Sequence, residues 1–176
     1  MKSKNMSRRN FMKNAAVGGA ALGAGSVVGL NNEEKKVYKG EMKPEKVVDL
    51  LNQDITGEID AVMTYMRNAF VSDLCEASHE LEEIGIDEMR HVEWLAGLVT
   101  ELGGIPTMEH HELSFGGNTN EDFLKRSIAL EKKAIKQYND HIKVIDHKEV
   151  VEVLNVIVWE ENKHLKGFME ILEKLS

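Results

Sequence analysis

The sequence predicts an all-α protein folded as a four-helix bundle. Between residues 44 and 176, apolar residues recur at steps of three and four in four separate segments, so each segment can form a helix with one apolar face. One long connection, GGIPTMEHHELSFGGNTN, separates the second segment from the third. Only two prolines and 30% charged residues agree with a helical chain. Four amphipathic helices with one long crossover are typical of a four-helix bundle.

The sequence predicts that residues 1–30 are an export signal and not part of the folded domain. SRRNFMK (7–13) supplies a basic head, and the Gly- and Ala-rich stretch NAAVGGAALGAGSVVGL (14–30) follows it. The glycine content argues against a stable membrane-spanning helix. The segment resembles a twin-arginine signal, whose motif matches here through Arg8, Arg9, Phe11 and Lys13. That resemblance implies export of a folded protein to the periplasm or another extracytoplasmic space. The polar residues 31–43 then predict a linker.

The first two helices form the first half of the bundle domain, 44–176. The first begins at Pro44, a favourable first-turn residue, and runs to about Leu74. The second runs from about Ser78 and ends before Gly103, Gly104 and Pro106. The buried seam of the first consists of Leu51, Ile55, Glu58, Val62, Tyr65 and Ala69. That of the second consists of Leu81, Ile84, Glu88, His91, Leu95, Leu98 and Leu102.

The third and fourth helices form the second half. Thr119 or Asn120 is the predicted cap of the third helix, and the fourth begins at about Lys148. The seam of the third consists of Leu124, Ile128, Glu131, Ile135, Tyr138 and Ile142. That of the fourth consists of Val150, Leu154, Ile157, Glu161, His164, Phe168 and Ile171.

Six ionisable residues interrupt these apolar seams. An unpaired buried carboxylate costs several kcal/mol, so four of them in one core require positive charge among them. Two divalent cations would neutralise the four carboxylates, and ligands of oxygen and nitrogen without sulfur suit iron or manganese. The sequence therefore predicts a two-metal site. Its ligands are Glu58, Glu88, His91, Glu131, Glu161 and His164.

The two halves of the domain repeat the same polar pattern. Glu58, Tyr65, Glu88 and His91 recur 73 residues later as Glu131, Tyr138, Glu161 and His164. The repeat predicts a duplicated helical hairpin whose halves face each other across a pseudo-twofold axis.

On these residues, segment 44–172 resembles the ferritin-like di-iron superfamily in its bacterioferritin and rubrerythrin branches. The resemblance implies that Glu58 and Glu131 are terminal ligands, that Glu88 and Glu161 bridge the two metals, and that His91 and His164 each bind one. It further implies that Asp87 and Glu160 accept the other imidazole N–H. Tyr65 matches a tyrosine near the bacterioferritin site, so we expect a catalytic redox role, or else a core aromatic residue.

Departures from the family pattern modify these expectations. Only 12 residues follow His164, which leaves no room for a fifth helix and favours a homo-oligomer such as a dimer over a 24-subunit cage. The single cysteine, Cys75, excludes a four-cysteine rubredoxin site, so electrons would come from Fe(II) or from a separate donor. Met89 stands where bacterioferritins carry a haem-binding methionine. A packing role is favoured there, and haem is not expected.

The net charge and the remaining cysteine, histidine and tryptophan residues predict no additional functional site. Outside residues 1–30 the chain has 17 basic and 30 acidic residues, a net charge of −13 that repels nucleic acid and anionic lipid and attracts cations. No membrane anchor is expected in the mature form. We expect Cys75 to be buried, the histidines His79, His141 and His147 to lie at exposed or boundary helix positions, and Trp94 and Trp159 to shield the site. EHHE (109–112) favours a mobile acidic loop over a second metal site.

Together these features indicate an exported di-iron or di-manganese protein that reacts Fe(II) with O2 or H2O2. Such a protein would be an oxidoreductase of ferroxidase or peroxidase type that serves iron handling or protection against oxidative stress. Two alternatives stay open on the same scaffold. One is a metal-binding or stress-associated bundle without catalysis, and the other is an enzyme of the manganese-catalase type.

Overall fold

A computed structural model describes residues 42–175, which form four helices and no strand. They are α1 (Pro44–Val71), α2 (Cys75–Glu101), α3 (Asn120–Val144) and α4 (Lys148–Lys174). The predicted four-helix architecture is confirmed. The predicted signal (1–30) and most of the predicted linker (31–43) lie outside the described residues. Within the described part of the chain, no helix combines the length and apolar character needed to cross a membrane.

The helix ends are set by local side-chain chemistry. Pro44 lies in the first turn of α1, where its missing N–H is not needed. Thr119 caps α3 in a capping box, in which its hydroxyl accepts the Asp122 N–H at 3.1 Å. The His147 side chain accepts the Val150 N–H at the start of α4. These contacts confirm the predicted starts of α1, α3 and α4.

The connection between α1 and α2 differs from the prediction. It is limited to residues 72–74, so α1 ends about three residues earlier and α2 begins about three residues earlier than expected. The Ser72 hydroxyl lies 2.7 Å from Asn120 Oδ1, and the Asp73 carboxylate accepts a hydrogen bond from the Asn120 amide at 2.6 Å. The turn is thus fixed by a residue distant in sequence. Cys75, the first residue of α2, is exposed rather than buried.

The helices pack as two hairpins, α1 with α2 and α3 with α4, and the hairpins meet through α1 with α3 and α2 with α4. Two apolar clusters occupy the core. The first contains Leu51, Ile55, Leu95, Leu98, Leu154 and Ile157 among its fully buried residues. The second contains Leu81, Ile84, Leu124, Phe168 and Ile171. On every helix the predicted ligands fall in sequence between residues of the two clusters.

The crossover, residues 102–119, is attached to α1 by three side chains spaced eight residues apart. The Asn52 amide binds both the Ile105 carbonyl and the Thr107 N–H, at 3.2 and 3.0 Å. Asp60 accepts the His111 N–H at 2.9 Å. Asn68 donates to the carbonyl of Phe115 at 3.2 Å. Residues 109–112 form a loop, as predicted, and His111 attaches this loop to α1.

Candidate metal centre

All six predicted ligands lie together in the middle of the bundle. Each is at most 6% exposed. Their oxygen and nitrogen atoms form two groups in which all the atoms lie within 4.8 Å of one another. One group is Glu58, Glu88, His91 and Glu161, and the other is Glu88, Glu131, Glu161 and His164. Because Glu88 and Glu161 belong to both groups, the geometry provides two adjacent metal positions with two shared carboxylates.

The two imidazoles face the shared carboxylates with the same nitrogen. His91 Nδ1 lies 2.7 Å from Glu88 and 3.1 Å from Glu161. His164 Nδ1 lies 3.2 Å from Glu88 and 3.4 Å from Glu161. The Glu-x-x-His spacing places each pair on one helix face, one turn apart.

The outer nitrogen of each imidazole meets an acid of the opposite hairpin. His91 Nε2 lies 2.9 Å from Glu160, and His164 Nε2 lies 3.5 Å from Asp87. Such contacts fix the ring angle and the tautomer of a metal-binding histidine. Arg90, which the sequence did not single out, binds Asp87 at 2.9 Å and approaches Glu160 at 3.6 Å. One guanidinium group therefore contacts both outer acids.

Two buried tyrosines hold the remaining carboxylates in a reciprocal arrangement. The Tyr65 hydroxyl on α1 donates to Glu131 on α3 at 2.5 Å. The Tyr138 hydroxyl on α3 donates to Glu58 on α1. Tyr65 was a predicted site residue, whereas Tyr138 was recognised only as part of the 73-residue repeat. Applying the repeat to the function of Tyr65 would have identified it.

Burial and neighbouring charge divide the four carboxylates into two kinds. Burial, together with the adjacent ionised carboxylates, raises the pKa of Glu58 and of Glu131 well above its ordinary value. Burial also opposes ionisation of Glu88 and Glu161, but it is outweighed, by contact with the imidazoles at Glu88 and by a hydrogen bond with Glu131 together with the imidazoles at Glu161, so that the pKa of both is lowered. The shared carboxylates are thus the ionised pair.

The imidazoles show the complementary shift. Burial opposes protonation of the two imidazoles, but contact with Glu88 and the other nearby carboxylates outweighs burial and favours the protonated form. The pKa of His91 rises well above its ordinary value, and that of His164 rises to about 9. Without metal, two imidazolium groups therefore balance two carboxylates in the core.

The residues fit a pair of divalent cations. Four buried ligand atoms form no hydrogen bond within residues 42–175 and make only ion-pair contacts of 3.1–4.0 Å between imidazole and carboxylate, namely Glu88 Oε1, Glu131 Oε2, Glu161 Oε1 and His164 Nδ1. Leaving a buried polar atom unsatisfied costs about 1–3 kcal/mol. These atoms converge on the space between the shared carboxylates, where metal–ligand bonds would satisfy them. The donors are oxygen and nitrogen, as iron and manganese prefer.

Several expectations about the surrounding residues need correction. His141, predicted at an exposed or boundary position, is buried and pairs with Asp54 at 2.9 Å, and Gln137 donates to the same carboxylate at 2.8 Å. His79 and His147 are exposed as predicted. Trp159 is 53% exposed and so does not shield the site.

Trp94 and Met89 lie beside the ligands on α2, and their surroundings differ. The Trp94 ring packs 5.7 Å from that of His91, in the expected shielding position. Met89, the residue considered for haem binding, is 47% exposed.

Comparison with known proteins agrees with this geometry. The model of the ferritin-like domain family matches residues 48–176. The bacterioferritin of Desulfovibrio desulfuricans is 28% identical over 137 residues, covering 74% of this chain and 76% of the relative. That of Streptomyces coelicolor is 28% identical over 142 residues, with coverage of 74% and 84%.

Two solved structures share the fold. A ferritin-like di-iron carboxylate protein from Bacillus anthracis superimposes with a TM-score of 0.69 at 22% identity, covering 76% of this chain and 99% of the neighbour. A dodecameric thioferritin, the bacterioferritin-related protein from Bacteroides fragilis, gives a TM-score of 0.71 at 21% identity, with coverage of 80% and 92%. With the family model matching most of the chain, the protein belongs to the ferritin-like domain family.

Proposed function

We propose that this protein binds two iron ions in the bundle core and oxidises Fe(II) with O2 or H2O2. The observation that carries the proposal is the pair of overlapping ligand groups that share Glu88 and Glu161. Two adjacent ions between shared carboxylates can together accept or give two electrons. The relatives named bacterioferritin and the neighbour described as a di-iron carboxylate protein support iron as the metal.

In the proposed reaction, the two iron ions would supply the two electrons that reduce the oxidant. With peroxide, two Fe(II) and one H2O2 take up two protons and give two Fe(III) and two water molecules. The bound irons supply the electrons, and the protein supplies the ligands, their orientation and the exclusion of bulk water.

The side chains around the ions have separate roles in this proposal. Glu58 and Glu131 each bind one ion, and the tyrosine hydroxyls hold them in place. Glu160 and Asp87 orient the two imidazoles from behind. Tyr65 contacts a ligand directly, which supports its proposed redox role beside its role in positioning Glu131.

We further propose export through the twin-arginine signal and assembly into a homo-oligomer. Arg8 and Arg9 support the first proposal. The dodecameric state of the Bacteroides fragilis neighbour supports oligomerisation, although not the dimer expected from the sequence. Turnover of peroxide beyond the bound Fe(II) would require an external electron donor.

The test is metal binding and oxidation by the purified, metal-free protein. Fe(II) is added without oxygen, bound iron is counted, and O2 or H2O2 is then mixed in while Fe(III) absorbance is recorded. Glu88→Ala and His91→Ala should each lose metal at one position and most of the oxidation, with helicity largely retained. The matched controls are Glu83→Ala and His79→Ala, exposed residues of the same types on α2.

The outcomes separate the candidate functions. Binding of two ions per chain with repeated oxidation of added Fe(II) supports the proposal. Binding that only raises the melting temperature, without turnover, would favour a non-catalytic bundle. Dismutation of H2O2 by the manganese-loaded form would favour the catalase type. If Glu88→Ala and His91→Ala bind and oxidise like the parent, the assignment of the centre is wrong.

A further inference from the structure

A small cavity connects the metal centre to the surface between α1 and α3. Its volume is about 30 Å³, room for about two water molecules. Its inner lining includes Glu58, Glu131 and Glu161, all at most 3% exposed. Its lining also includes Asp60 and His111, and the His111 side chain is 61% exposed to solvent. These last two residues therefore form the outer end.

Asp60 and His111 differ from the other attachments of the crossover. Asn52 and Asn68 bind only backbone atoms of the crossover. At Asp60 a second contact is made between side chains, because its Oδ2 lies 2.6 Å from His111 Nδ1. A carboxylate that is almost buried thus meets an imidazole that solvent can reach. The two supply the oxygen and nitrogen donors that a divalent transition-metal ion prefers.

Gly57 lies in the wall between this pair and the ligands. It is in the interior of α1, where glycine costs about 1 kcal/mol relative to alanine, and its φ is not positive. A Cβ added there would meet no atom within 4 Å, so close packing does not require glycine. The residue 73 positions later is Leu130. Leu130 lines the same cavity, and the missing side chain at Gly57 leaves that part of the cavity wall open.

We propose that Asp60 and His111 form a transient site for a divalent cation, which then passes Gly57 to reach the metal centre. The inference rests on the proposed function, since it needs a centre that binds metal. The direction of passage follows from the inner end of the cavity. There Glu131 Oε2 and Glu161 Oε1 are buried without a hydrogen-bond partner among the described residues. An ion that exchanges water for Asp60 and His111 is partly dehydrated before it enters a space too small for a hydrated ion.

The test follows the filling of the metal-free, full-length protein by Co(II), which requires no oxidation. Stopped-flow absorbance of protein-bound Co(II) gives the rate, and titration gives the number of ions bound. Asp60→Asn removes the charge while its amide oxygen can still accept the His111 N–H. His111→Ala removes the imidazole but keeps that backbone contact. Gly57→Leu narrows the passage and raises helix propensity, so loss of folding is not expected.

Two control variants match these substitutions. Asp49→Asn removes an exposed carboxylate from the same helix, and His110→Ala removes the neighbouring imidazole of the crossover. Neither residue lines the cavity.

We expect all variants to bind two Co(II) per chain at equilibrium. Asp60→Asn, His111→Ala and Gly57→Leu should fill at least about 10-fold more slowly than the parent and the controls, as expected when local attraction or access is lost. Equal Co(II) filling rates in the variants and the parent would contradict the proposed passage, whereas the assignment of the metal centre would stand. Faster Co(II) filling of His111→Ala would also contradict the proposal, because the imidazole would then obstruct entry of the cation instead of binding it. A parent protein that binds no Co(II) would instead overturn the proposed function.

Discussion

The imidazole rings of His91 and His164 stack across the centre of the bundle, with centroids 5.8 Å apart and planes inclined by 28°. Each ring is held between shared carboxylates on its inner side and one acid on its outer side. The outer contacts are unequal, however. Glu160 approaches His91 to 2.9 Å, whereas Asp87 approaches His164 only to 3.5 Å and is also engaged by Arg90. The two metal positions should therefore respond differently to loss of their outer acid.

Glu160→Gln should weaken metal binding more than Asp87→Asn. Loss of an acid behind a metal-binding histidine typically reduces affinity about 10–100-fold. We expect an effect in that range for Glu160 and a smaller one for Asp87. Competition with a chromophoric chelator measures both, and Glu152→Gln, an exposed residue of α4, serves as control. Equal affinities in all three variants would contradict the role of the outer acids.

The tyrosines provide a matched pair of variants. Tyr65→Phe and Tyr138→Phe each remove one hydroxyl that donates to a carboxylate ligand. Because the contacts are reciprocal, we expect both variants to weaken metal binding to a similar degree. If Tyr65 has the proposed redox role, the two variants should differ in radical formation. A tyrosyl radical signal formed during Fe(II) oxidation should disappear in Tyr65→Phe and persist in Tyr138→Phe. Unchanged signals in both variants would leave Tyr65 with a positioning role only.

Metal binding should release protons. In the metal-free centre the pKa values of Glu58, Glu131, His91 and His164 are raised, which favours the protonated form of each group. All four must be deprotonated to bind metal, which gives up to one proton from each group for two ions. Affinity should therefore rise as pH rises towards 9, the approximate pKa of His164. Calorimetry in two buffers of different ionisation enthalpy counts the protons, and a count of zero would contradict this.

Export should depend on the paired arginines and on the folded centre. Replacement of Arg8 and Arg9 by lysine should leave a folded, metal-loaded protein in the cytoplasm, because the twin-arginine route requires that pair. Glu161→Ala should be exported poorly, because we expect folding to be coupled to metal loading. Cell fractionation with an antibody decides both. Normal export of the double variant would refute the signal, and normal export of Glu161→Ala would remove only the coupling.

Local periodicity was sufficient to predict the helices and the grouping of the six ligands. Steps of three and four place Glu88 with His91 and Glu161 with His164 on single helix faces, whatever the rest of the chain does. The 73-residue repeat then related the two hairpins without knowledge of their packing. The metal centre was predictable because its members lie on the same apolar seams that form the core.

Contacts that depend on how the helices pack were not predictable in this way. His141 lies beside Asp54 only because α1 and α3 are adjacent, and its position on α3 alone does not distinguish burial from exposure. The attachment of His111 to Asp60 joins a residue without periodicity to a helix 51 positions earlier. The early end of α1 depends on Asn120, which likewise belongs to another element.

The crossover has a consequence for the symmetry of the molecule. A duplicated hairpin can repeat its ligands, but the segment that joins the two copies exists only once, and here it lies along α1. Beside α1 and α3, Asp54, Gln137 and His141 correspond through the repeat to Ser127, Thr64 and Asn68. The two proposed metal positions thus have different surroundings although their ligands are of the same types. Their spectra and their exchange lifetimes should be distinguishable, as in a heterobimetallic protein rather than a symmetric one.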